Sequence, residues 1–152
     1  MSTMGLVTAL LCGLASQPDS HVIVEVVPAS SEVQANRPIE VTVRVSVPTG
    51  EQLVPRTMSP PSYYLDFDVR DRAGKRLVFD GSLVNLHLDP KDTILLKPGR
   101  DHQASFDLAK LYPINIPGVY QVVAIYGRPP MPGLLAIGPV RSSTITIRVL
   151  QK

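Results

Sequence analysis

A chain of 152 residues, 44% of them hydrophobic, is long enough for one packed core and short for two, so a single domain is expected. Fifteen Lys and Arg against 13 Asp and Glu leave a formal charge of +2, with the basic residues scattered along the sequence, which argues against nucleic acid as a partner. Fifteen prolines and ten glycines punctuate the chain too often for a helical protein and favour β structure.

Residues Met4 to Ala15 (MGLVTALLCGLA) form an uncharged apolar run, with Gly13-Leu14-Ala15 as a small-x-small cleavage candidate, so residues 1–15 are expected to be a signal peptide. The run is shorter than the roughly 20 residues needed to cross a bilayer, and no other segment qualifies, so no membrane span is expected. The expected location is extracytoplasmic, periplasmic or secreted. No Lys or Arg precedes the run, which keeps a cytoplasmic location open as the alternative. Cys12 is the single cysteine, so no internal disulfide can form, and Leu10 and Leu11 stand before it where a lipid-modified cysteine wants small residues.

From His21 onward the apolar residues recur with period two, the signature of strands. His21 to Val27 predicts a first strand ended by Pro28, its near-continuous Val and Ile content implying burial on both faces or a shielded edge. In Pro38 to Val47, Ile39, Val41, Val43, Val45 and Val47 alternate with polar residues, which predicts one buried and one wet face. Thr49 to Ser62, rich in proline, reads as a connector. Tyr63, Leu65, Phe67 and Val69 then alternate with Tyr64, Asp66, Asp68 and Arg70, placing the two aspartates on a solvated face. Asp71 to Lys75 is a turn with Gly74 at positive φ, followed by a hairpin return through Arg76 to Phe79.

Leu83 to Leu88 and Ile94 to Leu96 predict short strands, separated by Asp89 to Asp92 and closed by Lys97-Pro98-Gly99. His102 to Leu108 is a further strand, with one helical turn over Leu108 to Tyr112 before Pro113. Gly118 to Gly127 and Ser142 to Leu150 complete the set. The expected fold class is all-β, an antiparallel immunoglobulin-like β-sandwich of about seven or eight strands over residues 21–150. Pro117, Gly118 and Tyr120 favour the sandwich over a barrel, because a tyrosine two residues past a turn glycine is placed like a tyrosine corner; the alternative is an ordinary core-edge tyrosine.

No catalytic residues are predicted. There is no Gly-x-Ser-x-Gly, no phosphate-binding glycine loop, and His21, His87 and His102 are not spaced as local metal ligands, so no metal or other cofactor is expected. The segment Arg128 to Pro139 stands out instead. It is too proline-rich to join a sheet smoothly, yet it carries apolar side chains that are costly to leave in water. Arg128, Pro130, Met131, Leu134, Leu135 and Ile137 are the candidate contact residues of a stiff docking loop, the alternative being a loop folded back to cap the core.

The run Leu96-Lys97-Pro98-Gly99 to Phe106-Asp107-Leu108-Ala109-Lys110-Leu111-Tyr112, followed by Pro117-Gly118-Val119-Tyr120-Gln121-Val122, resembles a pattern in two groups. One is the β domain preceding the catalytic domain of deuterolysin-type zinc peptidases; the other is the intracellular proteinase inhibitor family of bacilli. Both are immunoglobulin-like, and the likeness covers Tyr63 to Tyr126. The His-Glu-x-x-His of the peptidases is missing, so the resemblance implies at most a non-catalytic part of such an enzyme. The expected function is therefore that of a non-catalytic exported module that binds another protein or serves as a structural or accessory domain. The second expectation is a peptidase inhibitor presenting a rigid loop; oligomeric state is left open.

Overall fold

The computed structural model describes residues 22–62, 64–81 and 90–152. The expectations for the signal peptide, Cys12, His21, Tyr63, His87 and the Leu83 to Leu88 strand lie outside the described residues. Within them the chain forms ten strands: β1 (Ile23–Pro28), β2 (Glu32–Gln34), β3 (Glu40–Ser46), β4 (Gln52–Pro55), β5 (Leu65–Arg70), β6 (Thr93–Leu96), β7 (His102–Asp107), β8 (Gly118–Arg128), β9 (Ile137–Arg141) and β10 (Ile145–Leu150). Among the described residues one α-helical turn, α1 (Leu108–Leu111), falls where Leu108 to Tyr112 predicts it. The protein is all-β, and its sheets are antiparallel but for one short pairing.

The first sheet has the order β1-β3-β7 and the second β2-β10-β8-β5, with β9 also paired to β8; β4 and β6 form a separate two-stranded sheet. In β3 the alternation works as read, Ile39, Val41, Val43, Val45 and Val47 all being buried. Leu65, Phe67 and Val69 of β5 and Tyr120, Val122, Ala124 and Tyr126 of β8 turn to the same core. Phe67 and Phe106 meet edge to face at 5.7 Å, joining the second sheet to the first. Tyr112, just after α1, donates its hydroxyl to the Phe67 carbonyl at 3.0 Å, so the connection between β7 and β8 is fastened beneath β5.

Several expectations are corrected. β1 is not buried on both faces: Val22, Val24 and Val26 are buried while Ile23 and Val27 are 45% and 47% exposed, because the sheet turns one face of β1 to the core and the other to solvent. The return after the Asp71 turn has Gly74 at φ +80°, as expected, but it shrinks to a single bridge between Arg70 and Arg76 with one further bond from the Leu77 N–H to the Val69 carbonyl. The connector from Thr49 to Ser62 holds a strand, β4, which pairs with β6. β2 runs parallel to β10, a pairing that three residues are too few to announce by alternation.

The proline-rich segment does join a sheet, since β9 contains Pro139. Ile137 pairs with Arg128 and Arg141 with Ile125, and the register shifts between Tyr126 and Arg128. An edge position with an irregular register is where a missing N–H is tolerated. The link Ser142 to Thr144 then moves the chain along β8 from its β9 partner to its β10 partner, and the Ser142 hydroxyl accepts the Ala124 N–H at 2.9 Å.

Candidate functional site: the loop between Arg128 and Ile137

β8 stops where Pro129 and Pro130 remove two successive donors. A tight turn follows, in which the Leu134 N–H donates to the Met131 carbonyl at 2.8 Å and the Met131 N–H to the Leu134 carbonyl at 3.1 Å. Between them stand Pro132 and Gly133, the latter at φ +76°, the residue order of a type II turn. The loop re-enters the sheet through Ile137, which is fully buried in the core. Gly138, at φ +67°, must be glycine for a second reason: a Cβ there would lie 2.5 Å from the Val140 nitrogen and 2.8 Å from the Tyr126 carbonyl oxygen.

The candidate residues divide into anchors and presented groups. Ile137 and Arg128 are buried, Met131 and Leu134 are half-buried, and Pro130 and Leu135 are exposed. Leu135 is 75% exposed, far more than an isolated core-capping leucine would be. Arg128 is the unexpected member, only 2% exposed, its Nη2 donating to the Leu135 carbonyl. It therefore acts from below, as a strut that holds the backbone of the residue presented above it.

The strut is incompletely satisfied. Arg128 Nε and Nη1 are buried without a hydrogen-bond partner, and so is the hydroxyl of Tyr126, two residues back on β8. Burial pushes the Arg128 guanidinium below its ordinary pKa, offset in part by Tyr126; burial pushes the Tyr126 phenol well above its ordinary range, offset in part by the Arg128 charge. A sequence reading has no sign of this, because an arginine at the end of a strand beside prolines looks like a solvated residue.

At the opposite end of β8 the three corner residues come together locally. Pro117 is exposed, Gly118 opens the strand, and the Tyr120 hydroxyl donates to the Ile116 carbonyl at 2.7 Å, four residues upstream. Burial raises the Tyr120 pKa, with the Asp71 charge adding to it. A cleft of about 400 Å³ opens near this end, bounded by Asn36, Arg37, Asp80, Lys110 and Tyr112; the loop at Arg128 does not border it.

The reading of Asp66 and Asp68 as a solvated pair is corrected for Asp68, which is only 8% exposed. It is covered by arginines, with Arg70 Nε at 3.0 Å and Arg141 Nη2 at 3.1 Å. Desolvation alone would raise its pKa, but the hydrogen bonds from Arg70 and Arg141, with the charges of Arg70 and Arg76, hold the carboxyl below its usual value. His102 Nε2 lies 2.8 Å from the Arg56 carbonyl, and among the described residues no three His, Cys, Asp or Glu side chains gather as metal ligands. No helix among the described residues is long and apolar enough to cross a membrane. No protein-family model matches the chain, and no curated protein matches it.

Proposed function

We propose that the chain is a non-catalytic, exported, immunoglobulin-like β-sandwich module that acts by contact with another protein through the loop between Arg128 and Ile137. The strand orders β1-β3-β7 and β10-β8-β5 support the immunoglobulin-like reading, since they correspond to A-B-E in one sheet and G-F-C in the other. The Tyr120 hydroxyl bonded to Ile116 supports it further, as a tyrosine corner would be built this way. In that scheme β8 is F and β9 lies with β10 along its G edge, so the loop joining β8 to β9 is the F–G loop, at a sandwich end that such folds use for recognition.

The observation that carries the binding reading is Leu135: a large apolar side chain set out in solvent on a loop already ordered by a type II turn, a core anchor and an arginine strut. Ordering a loop in advance lowers the entropy lost on contact. The same stiffness favours, as a second reading, an inhibitor that lays a rigid loop in a peptidase cleft. Export rests on the apolar run Met4 to Ala15.

The test is a photo-crosslinking amino acid placed at position 135 and, separately, at Val78, an equally exposed residue outside the loop. A discrete protein adduct from position 135 and none from 78, abolished by a Pro132→Ala, Gly133→Ala double change that unmakes the turn, is expected. Identical adducts from both positions would sink the loop reading. Slowing of one peptidase in a panel of serine and metallopeptidases, lost in L135S, would select the inhibitor reading. The intact mass from separate cytosolic and extracytoplasmic fractions decides export.

A further inference from the structure

On β5, Leu65, Phe67 and Val69 enter the core while Asp66, Asp68 and Arg70 face outward. Asp68 accepts from Arg70 through both Nε, at 3.0 Å, and Nη2, at 3.2 Å. Arg141 reaches the same carboxylate from β9 at 3.1 Å, and Arg76 approaches it at 3.7 Å while donating to Asp66 at 3.2 Å. Three guanidinium groups thus share two carboxylates, and each arginine side chain stays about half exposed, at 47%, 53% and 54% for Arg70, Arg76 and Arg141.

The adjoining turn adds two more cations. Asp71 spends one carboxylate oxygen on the N–H groups of Ala73 and Lys75, both at 2.9 Å, while Arg72 and Lys75 are exposed and their side chains make no ion pair among the described residues. Arg70, Arg72, Lys75, Arg76 and Arg141 against Asp66, Asp68 and Asp71 leave an excess of two positive charges. Five of the chain's 15 basic side chains and three of its 13 acidic ones stand together on this face. Four of the five basic residues lie within Arg70 to Arg76, and folding brings Arg141 to join them.

We propose that this outer face of β5, β8 and β9 is a docking surface for an acidic protein segment. The proposal goes beyond the loop reading and stands or falls separately from it. Asp68 holds the guanidinium groups in place, so little rotamer freedom is lost when a carboxylate arrives, and a positive rim speeds encounter with an acidic partner. The chemistry fits a peptide better than a nucleic acid. The β8 side chains that pair across from Asp66, Asp68 and Arg70 are Ile125, Val123 and Gln121, none of them an aromatic ring for a base to stack on, and an excess of two charges neutralises few phosphates.

The probe is a fluorescein-labelled peptide of about ten glutamates, followed by anisotropy on the full chain, an exposed-charge contact of the kind worth a few-fold per pair. Saturable binding at low salt that weakens as salt rises is expected, with R72Q/K75Q, which removes no bond of the fold, lowering affinity roughly fivefold. The charge-matched K97Q/K110Q, away from this face, should leave binding as it was. No saturable binding at low salt overturns the proposal. So does an equal loss in K97Q/K110Q, or a single-stranded oligonucleotide of matching charge that binds as tightly as the peptide.

Discussion

Asp107 and Ile39 are joined by a hydrogen bond of 2.9 Å from the Ile39 N–H to the Asp107 carboxylate, and the same oxygen accepts the Ala109 N–H at 3.1 Å. One side chain thereby caps α1 and holds the entry of β3 against the end of β7, 68 residues apart in sequence. Asp107→Ala should cost about 1–3 kcal/mol, since two donors lose their acceptor. Asp107→Asn, which keeps one acceptor oxygen, should lose less. Urea unfolding with an unchanged slope checks both.

Two phenols on β8 invite opposite outcomes. Tyr120 donates to Ile116, so Tyr120→Phe should lose about 0.5–1.5 kcal/mol. Tyr126 is buried and bonded to nothing, so Tyr126→Phe removes only a desolvated hydroxyl and should leave stability equal or slightly raised. The melting temperature of Tyr120→Phe should fall while that of Tyr126→Phe stays level or rises.

Replacing Arg128 by Met removes a buried cation with two idle nitrogens and also the bond to the Leu135 carbonyl. Global stability should stay level or rise, while the turn from Met131 to Leu134 loosens. Limited proteolysis should then cut within residues 130–136 faster than in the parent, with no fall in melting temperature. A variant that unfolds outright would contradict the role of a local strut.

Asp68 carries a pH signature. Its carboxyl is held below its ordinary pKa in the folded chain, so the stability it contributes is present above the unfolded value and is lost as pH falls through the folded one. Asp68→Asn should therefore be less stable than the parent at neutral pH, and the gap should close under acid conditions below the usual carboxylate range. Parallel acid titrations of both, followed by circular dichroism, test the convergence.

Tyr112 and Tyr126 act at the other extreme. Burial raises both phenols well above the ordinary value, and the Asp66 charge raises Tyr112 further. A raised pKa means stability that is intact below the unfolded value, near pH 10, and lost as pH climbs beyond it. Absorbance of tyrosinate should show two of the five tyrosines ionising only together with unfolding.

The strands of the core were legible because water enforces period two wherever one face is buried: β3, β7 and β10 sit close to where Val41, Ala104 and Ile147 place them. What escaped has a physical reason in each case. β2 and β4 are three and four residues long, below the length at which alternation is distinctive, and are held by partners far along the chain. β9 was hidden by Pro139, because a proline rule presumes a central strand and β9 pairs with β8 alone. Asp68 looks solvated when only its neighbours in sequence are considered. Arg141, 73 residues away, joins Arg70 in covering it. The apolar character of the loop could be read from Met131, Leu134, Leu135 and Ile137, but their division into anchor and presented group depends on Arg128 lying beneath them.

The parallel pairing of β2 with β10 bears on how the domain takes mechanical load. Bonds from the Arg148 N–H to Ser31 and from the Ala35 N–H to Leu150, both 2.8 Å, lie side by side along two strands that point the same way. Tension drawn backward through Glu32 and forward through Leu150 pulls these strands in opposite directions along their own axes. The bonds are then strained together and must fail in concert, whereas a hairpin peeled from one end surrenders them singly. The clasp of β2 and β10 thus makes the domain stiff to stretching along that line.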